Sequence, residues 1–105
     1  MATKKEYADF IVETLKSVLS GEITCKPMMG EYLLYYNGVL FGGIYDGRFL
    51  VKIVADNKRF NMPKEIPYNN AKPMFMPEDI ENSELIKEIV EETYTGLINK
   101  NGEKK

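Results

Sequence analysis

The sequence predicts an α+β domain of two layers: an antiparallel sheet of about five strands, with helices from the two ends of the chain packed on one face. Three observations carry this. The stretch Glu31–Val54, EYLLYYNGVLFGGIYDGRFLVKIV, holds three apolar runs separated by Asn37-Gly38 and Asp46-Gly47. Those dipeptides are the ones type I′ hairpin turns prefer, because both central residues take positive φ. Helical periodicity precedes this stretch and returns after it. Finally, 105 residues suffice for one modest core and not for two, so residues 1–105 are read as a single domain.

In order, Thr3-x-x-Glu6 has the form of a capping box, and Tyr7, Phe10, Ile11, Leu15, Val18 and Leu19 recur at helical spacing. The first helix is therefore expected over Lys4–Leu19, with Gly21 as its stop. Glu22–Met29 reads as a strand, placed at an edge by Pro27, which has no N–H to donate. Strands follow over Tyr32–Tyr36, Val39–Tyr45 and Arg48–Val54. Gly42 and Gly43, in mid-strand, suggest close packing or a bulge. Ala55–Met62 forms a short helix or irregular turn, Pro63 and Pro67 bound a linker, and Tyr68-Asn69-Asn70 is loop chemistry. Ala71–Met76 gives a last strand, again at an edge because of Pro73. Asn82 caps a second amphipathic helix over Ser83–Asn99, and the polar tail from about residue 100 to 105 is expected to fray.

Tight turns fix register, and side chains alternate along each strand. With Leu34 set opposite Phe41, one face carries Leu33, Tyr35, Leu40, Gly42, Ile44, Phe49, Val51 and Ile53. It bears no charge and reads as the core face. The other carries Tyr32, Leu34, Tyr36, Phe41, Tyr45 and Leu50, with Arg48 and Lys52 at its rim. Aromatic rings ringed by cations resemble a protein interface, so these six residues are the expected interaction face. A homodimer burying about 800 Å² per partner would cover it. The competing arrangement folds the loop Asn61–Asn70, with Met62, Ile66 and Tyr68, over the patch and leaves a monomer.

Composition narrows function by exclusion. The chain has no histidine, which removes the commonest general base and most zinc sites. No phosphate-binding Gly-x-x-x-x-Gly-Lys run is present. Cys25 is the lone cysteine, consistent with a reducing cytoplasm, and without a cation cluster it reads as structural. Six methionines lack the regular array a soft-metal site would show and read as core filler. Glu78, Asp79, Glu81 and Glu84 lack the alternation and glycine of a calcium loop; they sit where a helix begins. No metal, cofactor or catalytic residue is expected, and the chain is read as a non-enzyme. There is neither a membrane-spanning run nor a signal peptide. An abundance of Lys, Asn, Ile and Tyr suggests a bacterial source.

At Lys26–Lys52, KPMMGEYLLYYNGVLFGGIYDGRFLVK resembles the N-terminal domain of TfoX/Sxy-type competence regulators. The likeness lies in Met28–Gly30, the tyrosine-rich strand ending at Asn37-Gly38, Val39–Phe41, the Asp46-Gly47 turn and Lys52. Ala71–Leu97 is similar to that family's Lys-Pro-Met strand and closing helix. Glu31 stands where the family has a small residue, the Lys58–Ala71 segment is short, and the second helical domain of the full-length regulators is absent from this sequence. The resemblance implies a secretion-chaperone-like α+β architecture, no known catalysis, and a regulatory or protein-interaction role with an unidentified protein partner. The alternative is a small-ligand-binding domain with its pocket between the sheet and Met62–Tyr68.

A net charge of −2 argues against a nucleic-acid surface, which normally shows as a basic stripe. The chain is accordingly expected to leave ordinary duplex DNA unshifted in an electrophoretic assay. A salt-dependent shift at micromolar protein would refute this, since phosphate-dominated binding requires a cationic surface.

Overall fold

The turn residues settle the central meander. In a computed structural model, which describes residues 3–103, Asn37 and Gly38 have φ of 51° and 82°, and Asp46 and Gly47 have 52° and 71°. Both turns thus occupy the left-handed region that Asn-Gly and Asp-Gly favour. A third such turn, Met29-Gly30 at 51° and 87°, joins the first two strands. Its sequence hides it, because methionine rarely accepts that conformation.

The strands are β1 (Ile23–Met28), β2 (Glu31–Tyr36), β3 (Val39–Tyr45), β4 (Arg48–Val51), β5 (Lys64–Glu65) and β6 (Met74–Phe75). They form one antiparallel sheet in the order β1-β2-β3-β4-β6-β5. Pro27 lies on the edge strand, as expected. The span Pro63–Pro67 is not a plain linker, since Lys64 and Glu65 pair with Phe75 and Met74. That makes β5 the far edge and places β6 inside, where Pro73 precedes the paired residues rather than interrupting them.

Register departs from expectation at one point, and the departure inverts a face. Tyr36 pairs with Val39 and Tyr35 with Leu40, but Leu34 then pairs with Gly42, leaving Phe41 as an extra residue on β3. Such a bulge shifts alternation by one. Beyond it, Gly42 faces Val51 and Ile44 faces Phe49, as expected. Before it, the sides are exchanged: Leu34, Tyr36 and Phe41 join Ile44, Phe49 and Val51 in the core, whereas Leu33, Tyr35 and Leu40 turn outward, each half-exposed. Glycine is required where the bulge rejoins the ladder, because a Cβ on Gly42 would collide with the Leu50 carbonyl oxygen.

Two helices, α1 (Lys5–Val18) and α2 (Ser83–Glu103), cover the core face. Ala8, Ile11 and Leu15 from the first, Leu19 just beyond its end, and Ile86, Ile89 and Val90 from the second pack with Leu34, Phe41, Ile44 and Phe75 in one core. Asn82 caps α2 by accepting the Leu85 N–H at 3.2 Å. The helix runs through Glu103, past the point where fraying was expected, while Lys104 and Lys105 lie outside the described residues.

The start of α1 differs from the capping-box reading. Lys4 is the N-cap and has no side-chain cap bond. The Thr3 hydroxyl instead donates to Glu31 Oε1 at 2.6 Å and accepts the Gly47 N–H at 3.0 Å. At the other end the chain leaves the helix extended at Leu19, and Gly21 is not left-handed. A Cβ there would meet the Tyr36 ring at 2.5 Å.

Ala55–Phe60 is a 3₁₀ helix joined to α2 by a fully buried polar contact. Asn57 Nδ2 donates to Thr93 Oγ1 and to the Lys52 carbonyl, both at 2.8 Å, and its Oδ1 accepts the Val54 N–H. Every donor and acceptor of that amide is used but one lone pair, so its burial carries no desolvation penalty of an orphaned group.

The inverted face is checkable by paired truncations. Leu34→Ala and Ile44→Ala should each cost roughly 2–5 kcal/mol in denaturant melts, as buried large-to-small changes do. Leu33→Ala should cost about 0.5 kcal/mol or less, the usual scale of surface changes. The reverse ranking of Leu33 and Leu34 would place the bulge elsewhere.

The open half of the outer sheet face

Pairing fixes what the outer face displays. Lys26 lies beside Leu33 and Leu33 beside Gly43, which faces Leu50; Thr24 lies beside Tyr35 and Tyr35 beside Leu40. The face divides in two. Over β3 and β4 it is closed, and over β1, β2 and the first part of β3 it is open.

The closed half is sealed by the chain itself. The Tyr45 ring lies across Gly43, where a Cβ would come within 2.7 Å of it, and Tyr68 packs on Tyr45 with ring centroids 5.9 Å apart. Arg48 ties the segment down. Its Nε donates to the Tyr45 carbonyl at 3.2 Å, Nη1 to Glu65 at 3.0 Å, and Nη2 to the Ile66 and Pro67 carbonyls at 3.1 and 3.4 Å. Tyr45 is buried beneath this strap, and Leu50 on the same face is buried too.

The six residues expected to form an interaction face therefore do not form one. Leu34, Tyr36 and Phe41 are core residues under the helices, and Tyr32 is half-buried against the same core. Tyr45 and Leu50 face the other way and are buried, Tyr45 under Tyr68 of the strap. The physical reason is the bulge, which puts Tyr32, Leu34, Tyr36 and Phe41 on the core side and leaves two of the six on the other. Folding of the loop over the sheet, the competing arrangement, is what brings Tyr68 onto Tyr45. Phe41→Glu would thus place a carboxylate in a sealed core and unfold the chain rather than dissociate a dimer.

What remains open is Thr24, Lys26, Leu33, Tyr35 and Leu40. The Lys26 ammonium stands over the Tyr35 ring, 5.1 Å from its centroid. On the strap itself Ile66 and Tyr68 are 49% and 58% exposed. Sequence reasoning missed the patch because it assigned Leu33, Tyr35 and Leu40 to the core. The Gly42-Gly43 pair was the one signal of the bulge, and it did not specify which residue would be extra.

Along Met62–Tyr68, where a pocket was the alternative expectation, Arg48 bonds Glu65, Ile66 and Pro67, and Tyr68 packs on Tyr45. A cleft of about 320 Å³ opens on the helical side of the β3–β4 turn, lined by Tyr7, Arg48, Phe49, Met76 and Glu78 among others. Its one guanidinium is already bonded to the strap, so the cleft offers little to orient an anion. Among the described residues, no cluster of His, Cys, Asp or Glu could hold a metal ion, and no helix is long and apolar enough to cross a membrane. Cys25 is half-buried, and burial, reinforced by Asp9, pushes its thiol pKa up, the opposite of what a reactive thiol needs.

Burial also raises the Tyr45 pKa above its ordinary 10.0, with Tyr68, Glu31 and Tyr35 adding to the effect. A group that binds its proton more tightly when folded stabilises the fold below its unfolded pKa and loses that contribution as pH rises through the folded value. Unfolding free energy should therefore fall as the pH is taken above 10.0, and less steeply in Tyr45→Phe. Equal slopes for the two proteins would show that the strap does not shield this hydroxyl.

No protein-family model matches the chain. Similarity is found to an uncharacterised 12.7 kDa protein in the trpE 5′ region of Spirochaeta aurantia, 33% identical over 82 residues, which cover 76% of this chain and 70% of that protein.

Proposed function

This chain belongs to the same family as the Spirochaeta aurantia protein, and on that footing we propose that it is a non-enzymatic regulatory or protein-interaction module. In this reading it is cytoplasmic, self-associates as a homodimer, and is related in kind to the N-terminal domain of TfoX competence regulators. The observation that carries the proposal is the open half of the outer sheet face. Leu33, Tyr35 and Leu40 stand half-exposed side by side with Lys26 over the tyrosine ring, whereas the remainder of the sheet is covered by helices or by the strap. Aromatic and aliphatic side chains beside a cation are the composition of a protein contact. The likeness to the competence regulators is supported by turns at Asn37-Gly38 and Asp46-Gly47, where the resemblance puts them. The reading as a non-enzyme is supported by the lack of histidine and by the engagement of Arg48 within the fold.

The test is a photo-crosslinking residue placed at Tyr35 in cells, with the same residue at Glu84 on the exposed side of α2 as control. A discrete adduct at position 35 and none at 84 is expected. Adducts equal at both positions, or at neither, would remove the outer face as the contact.

A further inference from the structure

We propose that the second copy in this homodimer pairs along the free edge of β1, antiparallel and centred on Thr24, so that two sheets join into one. The inference rests on the self-association proposed above and assigns it a site and a register.

Both ends of the β1–β2 hairpin fix which backbone groups of β1 point outward. At the tight turn Met29-Gly30, the flanking pair Met28 and Glu31 is a hydrogen-bonded one, as two-residue hairpin loops require. At the far end the Asn37 N–H donates to the Glu22 carbonyl at 2.8 Å. Alternation between these points turns Glu22, Thr24, Lys26 and Met28 toward β2 and leaves the amide groups of Ile23 and Cys25 and the carbonyl of Pro27 directed away from the sheet. No side chain or loop of the described residues bonds to them. Pro27 occupies an outward position, so the inner ladder loses nothing by its missing N–H.

A two-fold axis through Thr24 matches these groups. Ile23 then faces the second copy's Cys25, and the reciprocal pair repeats it, so both outward N–H groups of each chain meet an outward carbonyl. Pro27 falls beyond the paired stretch. On the outer face the same register sets Lys26 opposite Glu22 of the second copy, twice. Opposite charges in directly facing positions favour the pairing, and a copy shifted by two residues loses this match. The axis stands normal to the sheet, which keeps all helices on one side. The two open half-faces then merge across Thr24 into one strip running from Leu40 to Leu40.

Edge pairing of this kind is narrow and belongs among the smaller, weaker contacts, so sedimentation equilibrium should be followed up to about 200 μM. A mass near twice 12.1 kDa is expected for the wild type. Lys26→Glu and Glu22→Lys should each weaken association by about tenfold, and the double exchange should restore it to within about threefold. Thermal melts of each variant confirm that it is folded. Independently, Thr24→Cys in a Cys25→Ser background should form a covalent dimer with oxidised glutathione, releasing two glutathione thiols, since facing residues in a non-hydrogen-bonded pair lie about 4.5 Å apart at Cα. Lys26→Cys in that background should not. A wild type that dimerises yet ignores the charge exchange, or fails to crosslink at 24, overturns the β1 register and leaves the homodimer standing. A wild type monomeric throughout overturns both.

Discussion

One extra residue governs this structure. Between Tyr35/Leu40 and Leu34/Gly42 the β2–β3 ladder skips Phe41, and every side chain N-terminal to that step on β3, with its partners on β2, is thereby assigned to a face. Without the bulge the helices would meet Leu33, Tyr35 and Leu40 instead of Leu34, Tyr36 and Phe41. The second set is larger and fills the space between α1 and α2 over the sheet. The gain in buried apolar surface is the driving force, and the lost regular pair is its cost.

Given that sheet, a few polar contacts fix the elements that the core alone would leave loose. Thr3, Glu31 and the Gly47 N–H connect the chain before α1 to two turns at the same end of the meander, and the Glu31 carboxylate also accepts the Asp46 N–H at 3.0 Å. That gives a physical role to the residue at which the sequence departs from the competence-regulator pattern. Asn57 and Thr93 hold the 3₁₀ helix on α2, and Thr93 passes the bond on to the Ile89 carbonyl at 2.7 Å. Arg48 does the same for the strap over Tyr45. Among the described residues no buried side-chain polar atom lacks a partner, so these contacts add order without leaving a group stranded in the interior.

The bearing on function is a matter of which surface is left. A domain this small can cover one sheet face with its two helices, and the strap suffices for half of the other. The uncovered half lies beside the free edge of β1, so an exposed aromatic patch and a set of unpaired backbone amides occur together. Soluble proteins usually blunt such edges. Here Pro27 and Lys26 restrict what can pair with β1 rather than forbidding it, which favours recognition of a specific strand over indiscriminate addition.

The sequence by itself determined the order of the two long helices and the meander strands, the hairpin turns at Asn37-Gly38 and Asp46-Gly47, and the amphipathic character of both helices. Each of these is a local matter: positive φ at Asn-Gly and Asp-Gly, or apolar spacing at 3.6 residues. Asn82 as the cap of α2 and Pro27 at an edge follow from the same kind of evidence. Tertiary structure alone decided the bulge at Phe41, and therefore which side of β2 is core, which tyrosines are buried, and where the open face lies. Both alternations of EYLLYYNGVLFGG are apolar, so hydrophobic pattern could not choose between them. The choice fell to packing volume against α1 and α2, a property of contacts between residues far apart in the chain. The roles of Thr3 and Arg48 and the two-residue strand at Lys64 escaped sequence reading for the same reason, each being set by partners that only folding brings near, whereas the turn at Met29-Gly30 escaped it because methionine rarely takes positive φ.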